Sequence, residues 1–138
     1  MLVKDVMSSP VVTIEEDAPT NKAAELMEKH DLGCVIVTSE KGKPLGIITE
    51  RDLVERVLAK NVKPDAVKAK EVMTSPLITI EPGETISEAA RRMNRLNIRR
   101  LGVVYKGQLI GLVSSKDILS VMPELIETIQ EHALIEGE

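Results

Sequence analysis

The chain is written twice. KDVMSSPVVTIE (residues 4–15) lies over KEVMTSPLITIE (70–81) at a shift of 66 residues, and Ala23, Ala24 and Met27 then fall on Ala89, Ala90 and Met93 without a gap. The correspondence runs on through Val37 and Val103, drops one residue in a loop, and resumes with Gly46 on Gly111 and Asp52 on Asp117. A duplication reaching residue 122 constrains the fold more than any local propensity, because each copy must be one supersecondary unit that needs the other to bury its apolar face.

Each copy reads as strand, helix, strand, strand, helix. VVTI and LITI are short first strands, each after a Ser-Pro that disfavours helix at the serine. Ala89, Ala90, Met93 and Leu96 recur at helical spacing and share one face, and Thr85 with Glu88 makes a capping box where that helix starts. CVIVT with LGIIT, and LGVVY with LIGLV, supply the paired strands. Lys106-Gly107 separates the second pair, where a glycine tolerates the positive φ of a tight hairpin. Leu53, Val54, Val57 and Leu58 mark the first closing helix, and Ile118, Leu119 and Met122 the second.

A three-stranded sheet with two helices in about 60 residues encloses too little core to stand alone. The expected architecture is therefore α/β (α+β), with two tandem β-α-β-β-α repeats packed face to face as a pseudo-twofold pair. The expected division is a first repeat at 1–58, a polar linker at 59–69 broken by Pro64, and a second repeat at 70–122. Beyond it, 123–138 reads as a C-terminal amphipathic helix and tail, with Leu125, Ile129 and Ala133 on one side.

Composition excludes several classes. Apolar residues make up 43%, charged residues 29%, and no apolar run approaches the roughly 20 residues of a spanning helix. MLVKDVM lacks the layout of a signal peptide, so a soluble cytoplasmic protein with no membrane partner is expected. Cys34 is the sole cysteine, which rules out an internal disulfide and, within CVIV, suits a small buried residue. His30 and His132 stand at no ligand spacing, so no metal is expected. Net charge is −4 but unevenly spread: −3 over 1–66, +4 over 67–122 and −5 over 123–138. With Trp and Phe absent and Tyr105 the one aromatic, stacking platforms for nucleic acid cannot be built.

GIITERD (46–52) returns as GLVSSKD (111–117). Thr49 with Asp52, and Ser114 with Asp117, fit [ST]-x-x-[DE], a capping box that occupies the open N–H groups of a helix start. The same turn offers N–H donors and the positive end of a helix dipole to an anion. Its carboxylate suits two adjacent ribose hydroxyls. On the residues alone both readings stand.

The paired DVMSSPVVTI…GIITERD and EVMTSPLITI…GLVSSKD resemble the two tandem repeats of a CBS domain pair, or Bateman module, over residues 1–122. The resemblance implies a disc-shaped pair with two clefts that bind AMP, ADP, ATP or S-adenosyl compounds such as S-adenosylmethionine, often inside a homodimer. It places ribose-binding aspartates at Asp52 and Asp117 and hydroxyls at Thr49 and Ser114. Variable contact positions fall on Arg51 and Lys116, adenine-lining positions on Ile47 and Leu112, and the first strand's contribution on Val12 and Ile78. The contact ahead of the second strand falls on Gly33 and Cys34 in one repeat but on Arg99 and Arg100 in the other. The chain departs from the family where Val35 and Gly102 replace a common proline, and where Ser39 and Tyr105 replace an aspartate.

Arg91, Arg92 and Arg95 read as the solvated side of a helix. Arg99 stands at a strand entrance, where a planar guanidinium can hold a phosphate through two parallel bonds, so tighter binding is expected at the Ser114/Asp117 cleft. The expected function is a regulatory module that senses an adenosine ligand and passes a conformational or dimer change to a protein partner. The alternative is a ligand-free dimerisation or interaction module. Catalysis and a catalytic cofactor are not expected: His30 and Cys34 lack a third orienting group, and Glu15, Glu16 and Asp17 read as a solvated loop. Tyr105 is expected to be a half-buried cover at a strand end.

Overall fold

Two short parallel strand pairs organise the chain, because a parallel pair needs a crossover and a helix provides it. In the computed structural model, residues 1–121 are described; the expected C-terminal helix, with Met122, lies outside the described residues. The elements are α1 (Val3–Val6), β1 (Thr13–Glu15), α2 (Asn21–His30), β2 (Cys34–Thr38), β3 (Pro44–Thr49) and α3 (Glu50–Leu53), which continues as a π-helical turn, Val54–Leu58. After a 3-10 turn, Pro64–Ala66, follow α4 (Ala69–Val72), β4 (Thr79–Ile80), α5 (Ile86–Leu96), β5 (Arg100–Tyr105), β6 (Gln108–Ser114) and α6 (Ser115–Ser120). The fold is mixed α and β, with two three-stranded sheets ordered β1-β2-β3 and β4-β5-β6.

Within the first sheet β1 runs parallel to β2, with Ile14 opposite Val37, and β3 returns antiparallel with Cys34 opposite Thr49 and Val37 opposite Gly46. In the second, β4 runs parallel to β5, with Ile80 opposite Val103. Both crossover helices end on a left-handed residue at equivalent places, Asp31 (φ 54°) and Asn97 (φ 53°), residue types whose short polar side chains tolerate that conformation. The expected hairpin is present: Lys106 and Gly107 both take positive φ, at 50° and 77°.

The compact units do not follow the chain order of the copies. One unit joins Met1–Ser9 to Thr79–Lys106 and to the described residues from Ile110 onward; the other is Pro10–Ile78 with Gly107–Leu109. The segment leading each copy thus completes the sheet of the other. The Val3 amide donates to Glu84 O (2.8 Å), and 66 residues on the Ala69 amide donates to Ala18 O (2.8 Å). Val3 and Ala69 are both fully buried, so α1 and α4 serve as plugs.

Pro10–Ile78 is built on Ile14, Ala23, Met27, Val35, Val37, Ile48, Val57, Ala69 and Val72. In the other unit, Ile80, Ile86, Ala89, Met93, Leu101, Val103, Val113 and Ile118 are buried; Cys34, in Pro10–Ile78, is buried as its setting suggested. Some expectations shift. Ala90 and Leu96 are exposed while Ala89 and Met93 are buried, so the apolar stripe of α5 is narrower than its spacing implied. Thr85 caps α5 by accepting from the Glu88 amide (3.1 Å), but the Glu88 carboxylate turns to Arg91 and Arg92, so the reciprocal half of that box is absent among the described residues. Arg92 is not simply solvated: it donates to Thr79 O (2.9 Å) and is half-buried. Tyr105 is more exposed than a cover, with the Lys106 ammonium 5.2 Å from its ring centre.

Candidate functional site

Each sheet ends at a turn where the third strand runs directly into a short helix. Thr49 closes β3 and caps α3: its hydroxyl accepts from the Asp52 amide (3.2 Å), and Asp52 Oδ2 accepts from the Thr49 amide (2.9 Å) and hydroxyl (3.1 Å). Ser114 closes β6 and caps α6 the same way, accepting from the Asp117 amide (3.1 Å) while Asp117 Oδ2 accepts from the Ser114 amide (2.8 Å). Both expected boxes are therefore reciprocal.

The two carboxylates differ beyond the box. Asp52 is 7% exposed, and its Oδ1 accepts from the Thr74 hydroxyl (3.0 Å) with Arg56 Nε at 3.8 Å. The Arg56 guanidinium is itself anchored to Val72 O (3.1 Å) and Met73 O (2.6 Å). It sits on the π-helical turn, closed by the Ala59 amide donating to Val54 O (2.8 Å), a local widening often found at functional sites. Asp117 is half-buried, and among the described residues its Oδ1 has no partner. At the offset of Arg56 the second repeat has Val121.

Across each turn lies the exchanged segment. Thr74 and Ile47 trade backbone bonds of 2.8 and 2.9 Å; Ser8 and Leu112 trade bonds of 2.8 and 3.0 Å. This explains the glycine that opens each motif. A Cβ on Gly46 would lie 2.6 Å from Thr74 O, and one on Gly111 would lie 2.6 Å from Met7 Sδ and 3.1 Å from Ser8 O.

The other candidates gather unevenly. Gly33 O accepts from the Glu50 amide (3.1 Å) and Cys34 stands opposite Thr49, so both lie beside the first turn. Arg99 O accepts from the Ser115 amide (2.9 Å) and Arg100 begins β5, which puts two arginines beside the second turn. Among the described residues neither arginine has an ion pair, whereas Arg91 and Arg92 share Glu88 and hold its carboxyl below the usual range. Ile47 and Leu112 are half-buried. Arg51 is turned away to an exposed pair with Glu55 (2.7 Å), which raises the guanidinium pKa, and Lys116 is exposed. Val12 packs on the core, its carbonyl accepting from Ile36 (3.1 Å); Ile78 is half-buried just past Leu77, whose amide donates to Leu45 O (3.2 Å).

Sequence reasoning missed Thr74, Ser8 and Arg56. The first two carried a signal, since VMSSP and VMTSP repeat a hydroxyl at one offset; Arg56 carried none, having no counterpart in the second copy. Among the described residues no group of three His, Cys, Asp or Glu could hold a metal ion, and no helix is long and apolar enough to cross a membrane.

The CBS domain family model matches residues 3–59 and 69–124. An uncharacterized protein of Methanopyrus kandleri is 42% identical over 133 residues, covering 94% of this chain and 66% of that protein, so the chain spans slightly less than two thirds of that relative's length. The solved CBS domain pair of protein MJ0100, in complex with 5′-methylthioadenosine and S-adenosyl-L-methionine, is 32% identical over 90% of this chain and 97% of its own, with a TM-score of 0.81. A CBS domain protein of Pyrobaculum aerophilum complexed with AMP is 28% identical over 92% of this chain and 99% of its own, also at 0.81.

Proposed function

The chain belongs to the CBS domain family, and from that premise we propose that it is a regulatory module binding an adenosine ligand and passing the bound state to a protein partner. The supporting observation is Asp117: a half-buried carboxylate fixed through one oxygen by the Ser114 amide, beside Arg99 and Arg100; among the described residues its other oxygen has no partner and neither arginine has an ion pair. A carboxylate so held accepts from a ribose diol, and a guanidinium takes the phosphate or carboxylate such ligands carry. The MJ0100 pair with its S-adenosyl and methylthioadenosine ligands, and the Pyrobaculum protein with AMP, support the adenosine class. In this reading Thr49, Asp52, Ile47, Gly33, Cys34, Arg51, Val12 and Ile78 belong to one cleft or its rim. Ser114, Asp117, Leu112, Arg99, Arg100 and Lys116 belong to the other. The working form is a cytoplasmic homodimer, and no catalytic step is assigned.

Ligand bound only by the native state raises stability by about 2.7 kcal/mol at a hundredfold excess over Kd. Melting of the purified chain with AMP, ADP, ATP or S-adenosylmethionine is expected to rise for at least one of them; no shift with any rejects the reading. A second reading is favoured by the reciprocal boxes at Thr49/Asp52 and Ser114/Asp117, which give both aspartates a purely structural task in a ligand-free interaction module. The same titration separates the two.

A further inference from the structure

We infer that Thr74 and Arg56 latch the first cleft against a ribose diol, so that one adenosine ligand binds per chain, at the Ser114/Asp117 turn. This rests on the adenosine-ligand reading and adds which turn is competent and why. An ionised carboxylate has about four acceptor sites, two on each oxygen. On Asp52 three are filled, two by Thr49 and one by Thr74, and the Arg56 guanidinium stands over the fourth. On Asp117 one is filled among the described residues, by the Ser114 amide. A diol arriving at Asp52 must displace the Thr74 hydroxyl from a carboxylate already withdrawn from water; at Asp117 no side chain among the described residues has to be displaced.

The backbones at the two turns are held alike, so the difference lies in side chains. Thr74 is β-branched and restricted about its first torsion, and here its hydroxyl rests on Asp52. Ser8 occupies the equivalent place without a bond to Asp117 among the described residues, and Val121 supplies no charge where Arg56 stands. Arg56 cannot swing aside cheaply, because the carbonyls of Val72 and Met73 hold it.

Calorimetry with AMP on the full chain is expected to give one site per chain, weakened about thirtyfold by Asp117→Asn. The double variant Thr74→Ala, Arg56→Ala is expected to raise the stoichiometry to two. Two sites of similar affinity in the unmodified chain, or one site still in the double variant, overturn the latch. Without ligand, a melting cycle over Thr74→Val and Asp52→Ala is expected to show losses that do not add, since each variant removes one partner of the same bond. If AMP and S-adenosylmethionine both fail to bind, the adenosine reading falls by itself; additive losses in the melting cycle sink the latch by themselves.

Discussion

The turns at Thr49/Asp52 and Ser114/Asp117 share backbone, capping box, exchanged segment and opening glycine, yet among the described residues one carboxylate is enclosed in a network and the other keeps an oxygen without a partner. The lesson is that a duplicated scaffold fixes position, while a few unduplicated side chains decide chemistry. Asp52 gains Thr74 and Arg56; Asp117 gains Arg99 and Arg100 at places where the first copy has Gly33 and Cys34. In the proposed reading, the acid of the first copy serves stability and that of the second is left for binding.

The sharpest way to break this comparison is at the glycines. Gly46→Ala drives a methyl into a backbone carbonyl 2.6 Å away and is expected to cost about 3 kcal/mol in urea unfolding. Gly111→Ala meets chiefly a flexible Met7 side chain and is expected to cost about 1–2 kcal/mol. Equal losses would show that both segments yield alike. Next in size, Asp52→Ala strands the Thr74 hydroxyl and the Arg56 charge and is expected to cost about 2–3 kcal/mol, against about 1 kcal/mol for Asp117→Ala, which loses a cap only. Reversed order in thermal melts would contradict the assigned networks.

Arg99→Ala is expected to weaken AMP about tenfold by calorimetry, or about 1.4 kcal/mol, and to flatten the salt dependence of binding; Gly33→Ala at the equivalent place should leave both within twofold. The smallest effect concerns acid. Arg91 and Arg92 depress the Glu88 pKa, so its contribution is complete above the ordinary carboxylate range and disappears as pH falls through the lowered folded value. Glu88→Gln should therefore lower stability slightly at neutral pH and leave it unchanged once the pH has fallen below the lowered folded value. A loss of the same size at both pH values would assign Glu88 a packing role instead.

Much of the fold was legible because the repeat and its periodicities are local properties. The strand-to-helix turn, the Lys106-Gly107 hairpin and burial at Ala89, Met93 and Cys34 follow from short stretches of chain. What escaped depends on long-range placement. No spacing rule says that Thr74 faces Asp52, 22 residues earlier, or that the segment ahead of each first strand completes the opposite sheet. Arg56 was hidden for a related reason: its aim depends on a π-helical turn, which periodicity does not announce. The exposure of Leu96 and Ala90 likewise depends on what packs beside α5, not on helical phase.

The traded leading segments also govern how the two halves can diverge. A lesion in 69–78, nominally the opening of the second copy, strips α4 and the Thr74 bridge from the first sheet; one in 1–9 removes α1 and the Ser8 bridge from its sister. Neither half can be deleted, transplanted or expressed alone with its fold complete, so the pair must be inherited as a single object.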